Sequence, residues 1–357
     1  MPIETDALVI GAGPVGLFQV FQLGLQGVHA HVVDALPHVG GQCVELYADK
    51  PIYDIPGIAV CTGRELAERL TLQIAPFAAD FHLGQRISTI ERQSDGRYFT
   101  ASARTGEQAL QFLAKTIFIA AGVGAFEPRR LNLPGLDALE GRSLHHSLAQ
   151  APALAGSRVA IVGDGDAALE AALQLCAAHP DGHADKAARV TLLHRRDAFS
   201  ADPATVARLR ALIAAGAIEF VAGQVSGVDA PHGQLQHLDV LLPDARTQRL
   251  AVDQLLVLQG LSPKLGPVAQ WGLDMERRQL QVDTATFATS APGIFAVGDI
   301  NTYPGKKKLI VCGFHECVLA AFAAMAVIAP DEKVLLQYTT TSSRLHQRLG
   351  VEHPGAT

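Results

Sequence analysis

The feature that most constrains this chain is a pair of glycine-rich segments, each lying between an apolar strand pattern and an apolar helical pattern. The first occupies residues 11–16 and reads GAGPVG; the second occupies residues 163–168 and reads GDGDAA. In a strand–glycine–helix unit, glycine allows a tight turn and lets a pyrophosphate approach the N-terminus of the helix. Each segment therefore predicts a βαβ unit that binds a dinucleotide.

The strands that follow the two segments end in residues of opposite charge. The first ends in Asp34, and the second ends in His194, Arg195 and Arg196. An acid at this position accepts hydrogen bonds from a free ribose 2′-OH, whereas arginines neutralise a 2′-phosphate. The pattern predicts FAD or NAD in the first unit and NADPH in the second, the layout of a flavin-dependent NADPH oxidoreductase. A pair of solvated arginines is the alternative, and His194 is either a third contact or a strand cap.

Length and composition describe a two-domain globular protein. The chain has 357 residues, of which 48% are hydrophobic and 18% charged, and a net charge of −6. This charge gives no general affinity for nucleic acid, and the N-terminus shows no signal-peptide pattern. The longest apolar run, residues 317–329, is too short to span a bilayer and predicts a buried helix. We expect a cytoplasmic protein with no membrane or nucleic-acid partner.

The five cysteines predict neither a metal site nor a redox pair. None forms a Cys-x-x-Cys motif, and zinc-ligand spacing is absent from the sequence. We interpret them as core thiols in a reducing compartment. A redox role for Cys312 and Cys317 is the alternative.

A third pattern indicates that the first domain is discontinuous. Residues 292–299 form a short apolar strand that ends in Gly298 and Asp299, which resembles the end of an FAD domain. The predicted fold is α/β, with two Rossmann-like three-layer nucleotide-binding domains, the second inserted into the first. We assign residues 1–126 and 285–357 to the FAD domain and residues 127–284 to the NADPH domain.

Together with residues 40–42 and 53–57, these motifs resemble the thioredoxin-reductase-like flavoproteins. Thioredoxin reductases carry a Cys-x-x-Cys pair just before the second glycine motif, whereas residues 144–148 here read LHHSL. Without that pair, the flavin has no thiol acceptor there. The sequence is more similar to the thioredoxin-reductase-like ferredoxin–NADP⁺ reductases, through residues 46–54 and 122–129, and the similarity extends over essentially the whole chain.

The resemblance implies a homodimeric enzyme that exchanges electrons between NADPH and ferredoxin. A hydride passes to flavin N5, and single electrons then pass to an iron–sulfur protein. Alternatives are an NADPH reductase of flavodoxin, ferric chelates or quinones, and a flavin-binding redox sensor without turnover.

The resemblance also implies which residues contact the flavin. Tyr47 stacks on one face of the isoalloxazine, and Tyr338 of the partner subunit covers the other, beside Thr339 and Thr340. The predicted FAD contacts are Gly11, Gly13, Pro14, Gly16, Asp34, Gly41, Gln42, Tyr47, Asp54, Ile87, Gly122, Phe126, Asp299 and Thr340. The predicted NADPH contacts are Gly163, Gly165, Asp166, Ala167, His194, Arg195 and Arg196.

The remaining expectations concern charge near the flavin. Residues 306–308 are three lysines, a candidate docking patch for an acidic ferredoxin, with Arg129 and Arg130 behind them; a solvated surface is the alternative. A helix that starts at Gly313 would stabilise negative charge on the reduced ring if its N-terminus faces the flavin. Ser200 replaces an arginine that the family commonly has, which weakens the expected preference for NADPH.

Overall fold

The computed structural model describes residues 1–103, 109–148, 151, 154–176 and 187–351. Two compact units are present: Met1–Ala125 with Pro263–Thr357, and Phe126–Ser262. The insertion of one unit into the other is as predicted. The first boundary differs from the prediction by one residue, whereas the second lies at 262/263 instead of 284/285.

The described residues of the first segment of unit 1 form eight strands and three α-helices before Ala125. The strands are β1 (Ile3–Ile10), β2 (Ala30–Asp34), β3 (Pro51–Ile52), β4 (Cys61–Thr62), β5 (Asp80–Leu83), β6 (Arg86–Arg92), β7 (Tyr98–Ala103) and β8 (Gln111–Ile119). The helices are α1 (Pro14–Gln26), α2 (Gln42–Tyr47) and α3 (Gly63–Ile74). The segment that follows β2 therefore contains a short helix, α2.

Along the sequence, unit 2 begins and ends in two short strands, β9 (Ala125–Pro128) and β18 (Leu261–Lys264). In each of these strands the chain passes from one unit to the other. Its strands are β10 (Leu144–His145), β11 (Arg158–Val162), β12 (Arg189–His194), β13 (Glu219–Ala222), β14 (Gln224–Asp229), β15 (His237–Leu241), β16 (Thr247–Ala251) and β17 (Gln254–Val257). Its helices are α4 (Asp166–Cys176) and α5 (Pro203–Ala214). Strands β10-β17-β11-β12-β13 form a parallel sheet, and β14-β15-β16 form an antiparallel one.

The chain then completes unit 1. The last strands are β19 (Met275–Glu276), β20 (Gln279–Gln281), β21 (Ile294–Ala296) and β22 (Asn301–Thr302), and the last helices are α6 (Ile310–Ile328) and α7 (Ser343–Leu349). The main sheet of unit 1 has the order β5-β2-β1-β8-β7-β6, and β21 also pairs with β8. Strands β5, β2, β1, β8 and β21 are mutually parallel, so their carboxyl ends share one edge.

Alternate residues of the central strands enter opposite sides of the sheet in unit 1, as strand geometry requires. Val9 and Phe118 pack with Leu17 of α1 and Ala320 of α6, and the neighbouring Leu8 packs on the other side. Val268 and Leu280 bury their side chains on that second side, in the same cluster as Leu8. This burial is the physical reason that residues 263–284 belong to unit 1 and not to unit 2.

Helix α6 is the one described helix whose length and composition would suffice to cross a membrane, with 19 residues and a mean hydropathy of 2.0. This criterion is weak, because a core helix of a globular protein has the same composition. Cys317, Ala320 and Ala324 of α6 are completely buried. The helix starts three residues before the predicted Gly313 and forms part of the core, as predicted.

Candidate nucleotide sites

The first glycine segment connects β1 to α1, and its glycines have different surroundings. Gly11 has φ +113°, and a Cβ there would lie 2.4 Å from the carbonyl oxygen of Ala120. A Cβ on Gly16 would lie 1.9 Å from the carbonyl oxygen of Gly11. By contrast, a Cβ on Gly13 would meet only the Cα of Gly41, at 3.8 Å. Packing requires the outer two glycines, whereas Gly13 leaves open space in which a phosphate could approach the backbone.

Asp34, at the end of β2, lies against this loop. Its Oδ2 accepts a hydrogen bond from the Ala12 N–H at 2.6 Å, and its Oδ1 accepts one from Leu36 N–H at 2.8 Å. Burial raises the pKa of the Asp34 carboxyl, and these two hydrogen bonds oppose the rise. The carboxylate is thus fixed beside the glycine loop, where an acceptor for a ribose hydroxyl is predicted.

Residues 41–42 and residue 122, which are also predicted FAD contacts, lie close to the first glycine loop. Gly41 has φ +53°, and a Cβ on it would lie 2.9 Å from the Cα of Gly13. Gly122 has φ +59°, and a Cβ there would lie 2.5 Å from Nε2 of Gln42. The structure therefore brings Gly13, Gly41, Gln42 and Gly122 together, although they come from three separate parts of the sequence.

Tyr47 is the last residue of α2 and is half-buried. Its hydroxyl lies 3.3 Å from the Cys43 sulfur. Burial raises the pKa of the Tyr47 phenol, and the contact with Cys43 and the nearby carboxylates of Asp299 and Asp54 raise it further. Tyr47 is therefore a neutral phenol at physiological pH, in the electrostatic range of Asp299, which follows it by more than 250 residues in the sequence.

Asp299 lies in a 3₁₀ turn, Gly298–Ile300, directly after β21. Burial raises the pKa of its carboxyl, whereas the positive charges of Lys306 and Lys308 lower it. Gly298 has φ +81°, a conformation that favours glycine at the start of this turn. The turn places Asp299 at the carboxyl edge of the parallel strands, the edge at which ligands bind in open α/β sheets.

The first turns of α1 and α6 meet at the Gly298 turn. A Cβ on Gly313 of α6 would lie 2.5 Å from Cγ2 of Val15 of α1 and 3.4 Å from the Cα of Gly298. Neither helix has a side-chain cap or an acidic residue in its first turn. Helices α3, α5 and α7 are capped by Thr62, Asp202 and Ser342. Two uncapped N-termini therefore converge on one place, where their N–H groups and dipoles favour an anion.

Glu316 is a site residue that the sequence reasoning missed. Its Oε2 accepts hydrogen bonds from Gly298 N–H at 2.6 Å and Asn301 Nδ2 at 2.8 Å. Its Oε1 accepts from the Tyr303 hydroxyl at 3.0 Å and from Lys306 Nζ. The completely buried carboxylate fixes the turn that carries Asp299. The available signal was a single acid in a helix whose other residues, apart from His315, are apolar or small.

The network corrects the predicted docking patch. The side chain of Lys306 is only 6% exposed, and its Nζ also donates to the Gly298 carbonyl at 2.8 Å. Lys306 is therefore an internal counter-ion, and only Lys307 and Lys308 are exposed. The Arg130 guanidinium, in unit 2, forms two hydrogen bonds with Glu140, at 2.6 and 3.0 Å, so part of its charge is already neutralised.

The remaining predicted FAD contacts differ in exposure. The Ile87 side chain is buried in the core of unit 1, so only its backbone is available to a ligand. The Phe126 side chain lies outside the described part of the structure. Tyr338 is 65% exposed, and Thr339 and Thr340 are exposed as well. The described residues of one chain therefore leave most of the Tyr338 side chain exposed.

The second glycine segment connects β11 to α4 in unit 2. A Cβ on Gly163 would lie 2.4 Å from the Leu258 carbonyl oxygen, whereas a Cβ on Gly165 would meet only the Ser200 carbonyl oxygen, at 3.9 Å. The buried Ala168 occupies the place of a third glycine. As in unit 1, the second glycine of the segment is the one that leaves space. Asp166 and Ala167 are exposed beside it.

The residues after β12 have two different environments. The His194 imidazole is mostly buried, with Nδ1 2.9 Å from the Arg196 carbonyl oxygen and Nε2 3.8 Å from Asp164 Oδ2. This arrangement matches a cap on the strand end. Arg195 and Arg196 are exposed, and within the described residues neither guanidinium has an ion-pair partner. Both charges are available to a phosphate, and their binding of NADPH remains a prediction.

Comparison with known proteins agrees with this architecture. The family model for pyridine nucleotide-disulphide oxidoreductases matches residues 5–316. The ferredoxin–NADP reductase of Albidiferax ferrireducens is 57% identical over 99% of this chain and 98% of its own length. The corresponding reductase of a Polaromonas species is 55% identical over 99% of this chain and 94% of its own length.

Solved structures show the same fold at low sequence identity. Thioredoxin reductase from Lactococcus lactis is 22% identical, with a TM-score of 0.56 over 91% of this chain and 99% of its own. A bacillithiol disulfide reductase from Staphylococcus aureus is 14% identical, with a TM-score of 0.60 over 91% of this chain and 99% of its own. The thioredoxin-reductase-like fold is therefore confirmed. By its full-length identity to the reductases, the chain belongs to the pyridine nucleotide-disulphide oxidoreductases, in the branch of the thioredoxin-reductase-like ferredoxin–NADP reductases.

Proposed function

We propose that this protein is a cytoplasmic FAD enzyme that transfers electrons between NADPH and ferredoxin. The observation that carries the proposal is the convergence of two uncapped helix N-termini on the Gly298–Asp299 turn, beside a glycine loop and Asp34. This arrangement suits a dinucleotide whose ring system becomes negatively charged on reduction. The names of the relatives at 55–57% identity support ferredoxin as the partner.

The residues of unit 1 have separate roles in holding FAD. Asp34 would accept a hydrogen bond from the ribose, and the N–H groups at the start of α1 would bind the pyrophosphate. The neutral Tyr47 ring would cover one face of the isoalloxazine, and the N-terminus of α6 would stabilise negative charge on the reduced ring. When bound, FAD would supply the chemistry of hydride uptake from NADPH and of single-electron release. No side chain has to act as a general acid or base, because the cofactors carry the chemistry.

The environment of the cysteines disfavours a thiol acceptor. The segment before the second glycine motif, which includes β10, contains no cysteine. Cys43, Cys61, Cys176 and Cys317 are buried, and all five cysteines are free thiols. Burial raises the pKa of the Cys43 and Cys317 thiols, which lowers their reactivity. A one-electron acceptor outside the chain fits this protein better than an internal disulfide relay.

The test is a ferredoxin-dependent cytochrome c reduction assay with FAD-loaded protein. We expect NADPH to support turnover that requires ferredoxin and saturates with it. Flavodoxin, ferric citrate and a soluble quinone, each in place of ferredoxin, distinguish the other acceptors. Equal rates with and without ferredoxin would contradict the assigned partner. Negligible rates with every acceptor would favour the redox sensor.

We also propose a homodimer in which the tail of one subunit covers the flavin of the other. Helix α7 is held on its own chain, because the Arg348 guanidinium donates to the Leu25 carbonyl and Leu345 is buried. The preceding residues Leu335, Leu336 and Tyr338 expose 60%, 66% and 65% of their surface. A second subunit that covers these side chains would remove this apolar surface from water.

Truncation after residue 335 tests the tail. The shortened protein should keep FAD, because the FAD contacts of unit 1 other than Thr340 are retained. Its flavin absorption spectrum should change, and its NADPH oxidase rate should rise because oxygen reaches the exposed ring. Tyr338→Ala alone should reproduce part of the spectral change, and Tyr53→Ala, another exposed tyrosine, should not. An unchanged spectrum and oxidase rate would place the tail away from the flavin.

A further inference from the structure

Three histidines and one aspartate lie together at one edge of the main sheet of unit 1. His29 directly precedes β2 and His31 lies within it, while Asp80 and His82 lie in the edge strand β5. The two strands are parallel, and His31 pairs with Asp80 in the register. His29 lies five residues before Asp34, a separation of about 16 Å along an extended strand. The cluster is therefore at the opposite end of β2 from the proposed FAD site.

The potential ligand atoms have the spacing of a metal site. Asp80 Oδ2 lies 3.6 Å from His29 Nε2 and 3.6 Å from His31 Nε2. These three atoms all lie within 4.8 Å of one another. Two ligands of a tetrahedral Zn²⁺ ion with bonds of about 2.0–2.1 Å are about 3.4 Å apart. The Asp80–His29 and Asp80–His31 distances would therefore have to shorten by only tenths of an ångström to match this geometry.

The fourth side chain, His82, orients His31. Its Nε2 lies 3.0 Å from His31 Nδ1, and the two rings are stacked at 5.3 Å. Both rings also make edge-to-face contacts with the Phe112 ring. A ligating histidine typically uses its second ring nitrogen for such a hydrogen bond, which fixes the ring and the tautomer. His31 Nε2 consequently remains directed toward Asp80.

The cluster is open to solvent on one side. His29 and Asp80 are half-exposed, which gives the ion a path from solvent.

We propose that His29, His31 and Asp80 bind one Zn²⁺ ion, with solvent in the fourth position and His82 as the positioning residue. Two imidazoles and one carboxylate are a donor set that Zn²⁺ accepts readily. On binding, His29 Nε2 exchanges its 3.0 Å hydrogen bond to the Ala78 carbonyl for the metal. The ion would connect the edge strand β5 to β2, and because it binds only the folded arrangement it would stabilise unit 1.

The experiment is titration of the chelator-treated, FAD-loaded protein with ZnCl₂, followed by isothermal calorimetry and by thermal melting. We expect one saturable equivalent per chain and a melting temperature that rises with Zn²⁺. His29→Ala and Asp80→Asn should each weaken binding at least tenfold, and His82→Ala should weaken it tenfold to a hundredfold through the orientation of His31. His237→Ala is the matched control, because His237 lies 3.5 Å from Asp229 but, among the described residues, does not belong to a group of three potential metal ligands.

Three outcomes would overturn the proposal. They are the absence of a saturable equivalent, the same affinity in His29→Ala and Asp80→Asn as in the parent protein, and an equal loss of affinity in His237→Ala. Because His29 and Asp80 are half-exposed, their variants should fold, and the test does not require a variant of the more buried His31. Ferredoxin-dependent activity of the metal-free protein is measured in parallel, and we expect it to be unchanged because the cluster is remote from Asp34.

Discussion

At the residue scale, the proposed flavin site depends on the Glu316 carboxylate. It accepts four hydrogen bonds, two of them from the turn and strand around Asp299, and it is inaccessible to solvent. Its charge is balanced by Lys306, which is also buried. Removal of one member of such a pair leaves the other uncompensated, and the effect is usually large.

We predict that Glu316→Gln destabilises unit 1 by about 3 kcal/mol and weakens the retention of FAD. Glutamine has the same size, but its amide nitrogen cannot accept a hydrogen bond from Lys306 or Tyr303. Thermal melting and the FAD content after gel filtration measure the two effects. Glu332→Gln, at an exposed position, is the control. Melting temperature and FAD content equal to those of the parent would show that the network is dispensable.

A second prediction concerns Arg195 and Arg196, the exposed arginines after β12. Their replacement by alanine should raise KM for NADPH by one to three orders of magnitude, about 1.4 kcal/mol for each factor of ten. KM for NADH should change little, because NADH has no 2′-phosphate. Steady-state kinetics with NADPH and with NADH measure the two KM values. The Arg246→Ala/Arg249→Ala protein loses the same charge at another sheet of unit 2 and should behave like the parent. Equal losses with both nucleotides in the variant of Arg195 and Arg196 would exclude the 2′-phosphate contact.

At the scale of elements, both βαβ units could be predicted from sequence. The glycine spacing, the apolar strand and the charged strand end are all local features, within about 30 residues of one another. The long-range contacts could not be predicted in this way. Lys306 is part of a run of three lysines, which is ordinarily solvated, and only the fold shows that it faces Glu316 ten residues later. Likewise, no local sequence pattern indicates that Val268 and Leu280 are buried in the core of unit 1. The second domain boundary therefore lies at 262/263 and not at the predicted 284/285.

The uncapped start of α6 leads to a third prediction. Leu309 is the N-cap residue and has extended backbone angles that suit a capping side chain. Leu309→Asp should cap the helix, which is worth about 0.5–2 kcal/mol. Its carboxylate would, however, oppose the negative charge that develops on the reduced flavin. The midpoint potential of bound FAD should become more negative. Leu309→Asn caps without charge and should leave the potential near that of the parent; identical potentials in all three proteins would mean that α6 does not face the ring.

At the scale of the whole molecule, the charge distribution determines how an acidic partner is attracted. The chain has a net charge of −6, so a ferredoxin, if acidic, must be steered by a local positive region. After Lys306 is assigned to the interior, Lys307 and Lys308 are the exposed lysines nearest to Asp299 in the sequence. Lys308 also acts electrostatically on the Asp299 carboxyl.

We predict that Lys307→Gln/Lys308→Gln lowers kcat/KM for ferredoxin and weakens its dependence on ionic strength. Charges of this kind mainly affect the association rate, so the effect should be largest at low salt. Ferricyanide reduction by NADPH should remain nearly unchanged, because a small acceptor needs only an accessible ring edge. Lys115→Gln/Lys333→Gln, at two other exposed positions, serves as the charge-matched control. A parallel decline in both activities would indicate damage to the flavin site and not to docking.

The insertion of unit 2 into unit 1 also sets the order in which a ribosome can complete the protein. Domains generally fold as units during synthesis. Residues 126–262 emerge before β21 and α6 exist, and these two elements supply the neighbour of β8 and the partner of α1. Unit 2 can therefore fold in the nascent chain while unit 1 still lacks β21 and α6. The surroundings of the first glycine loop are therefore complete only after β21 and α6 have been synthesised.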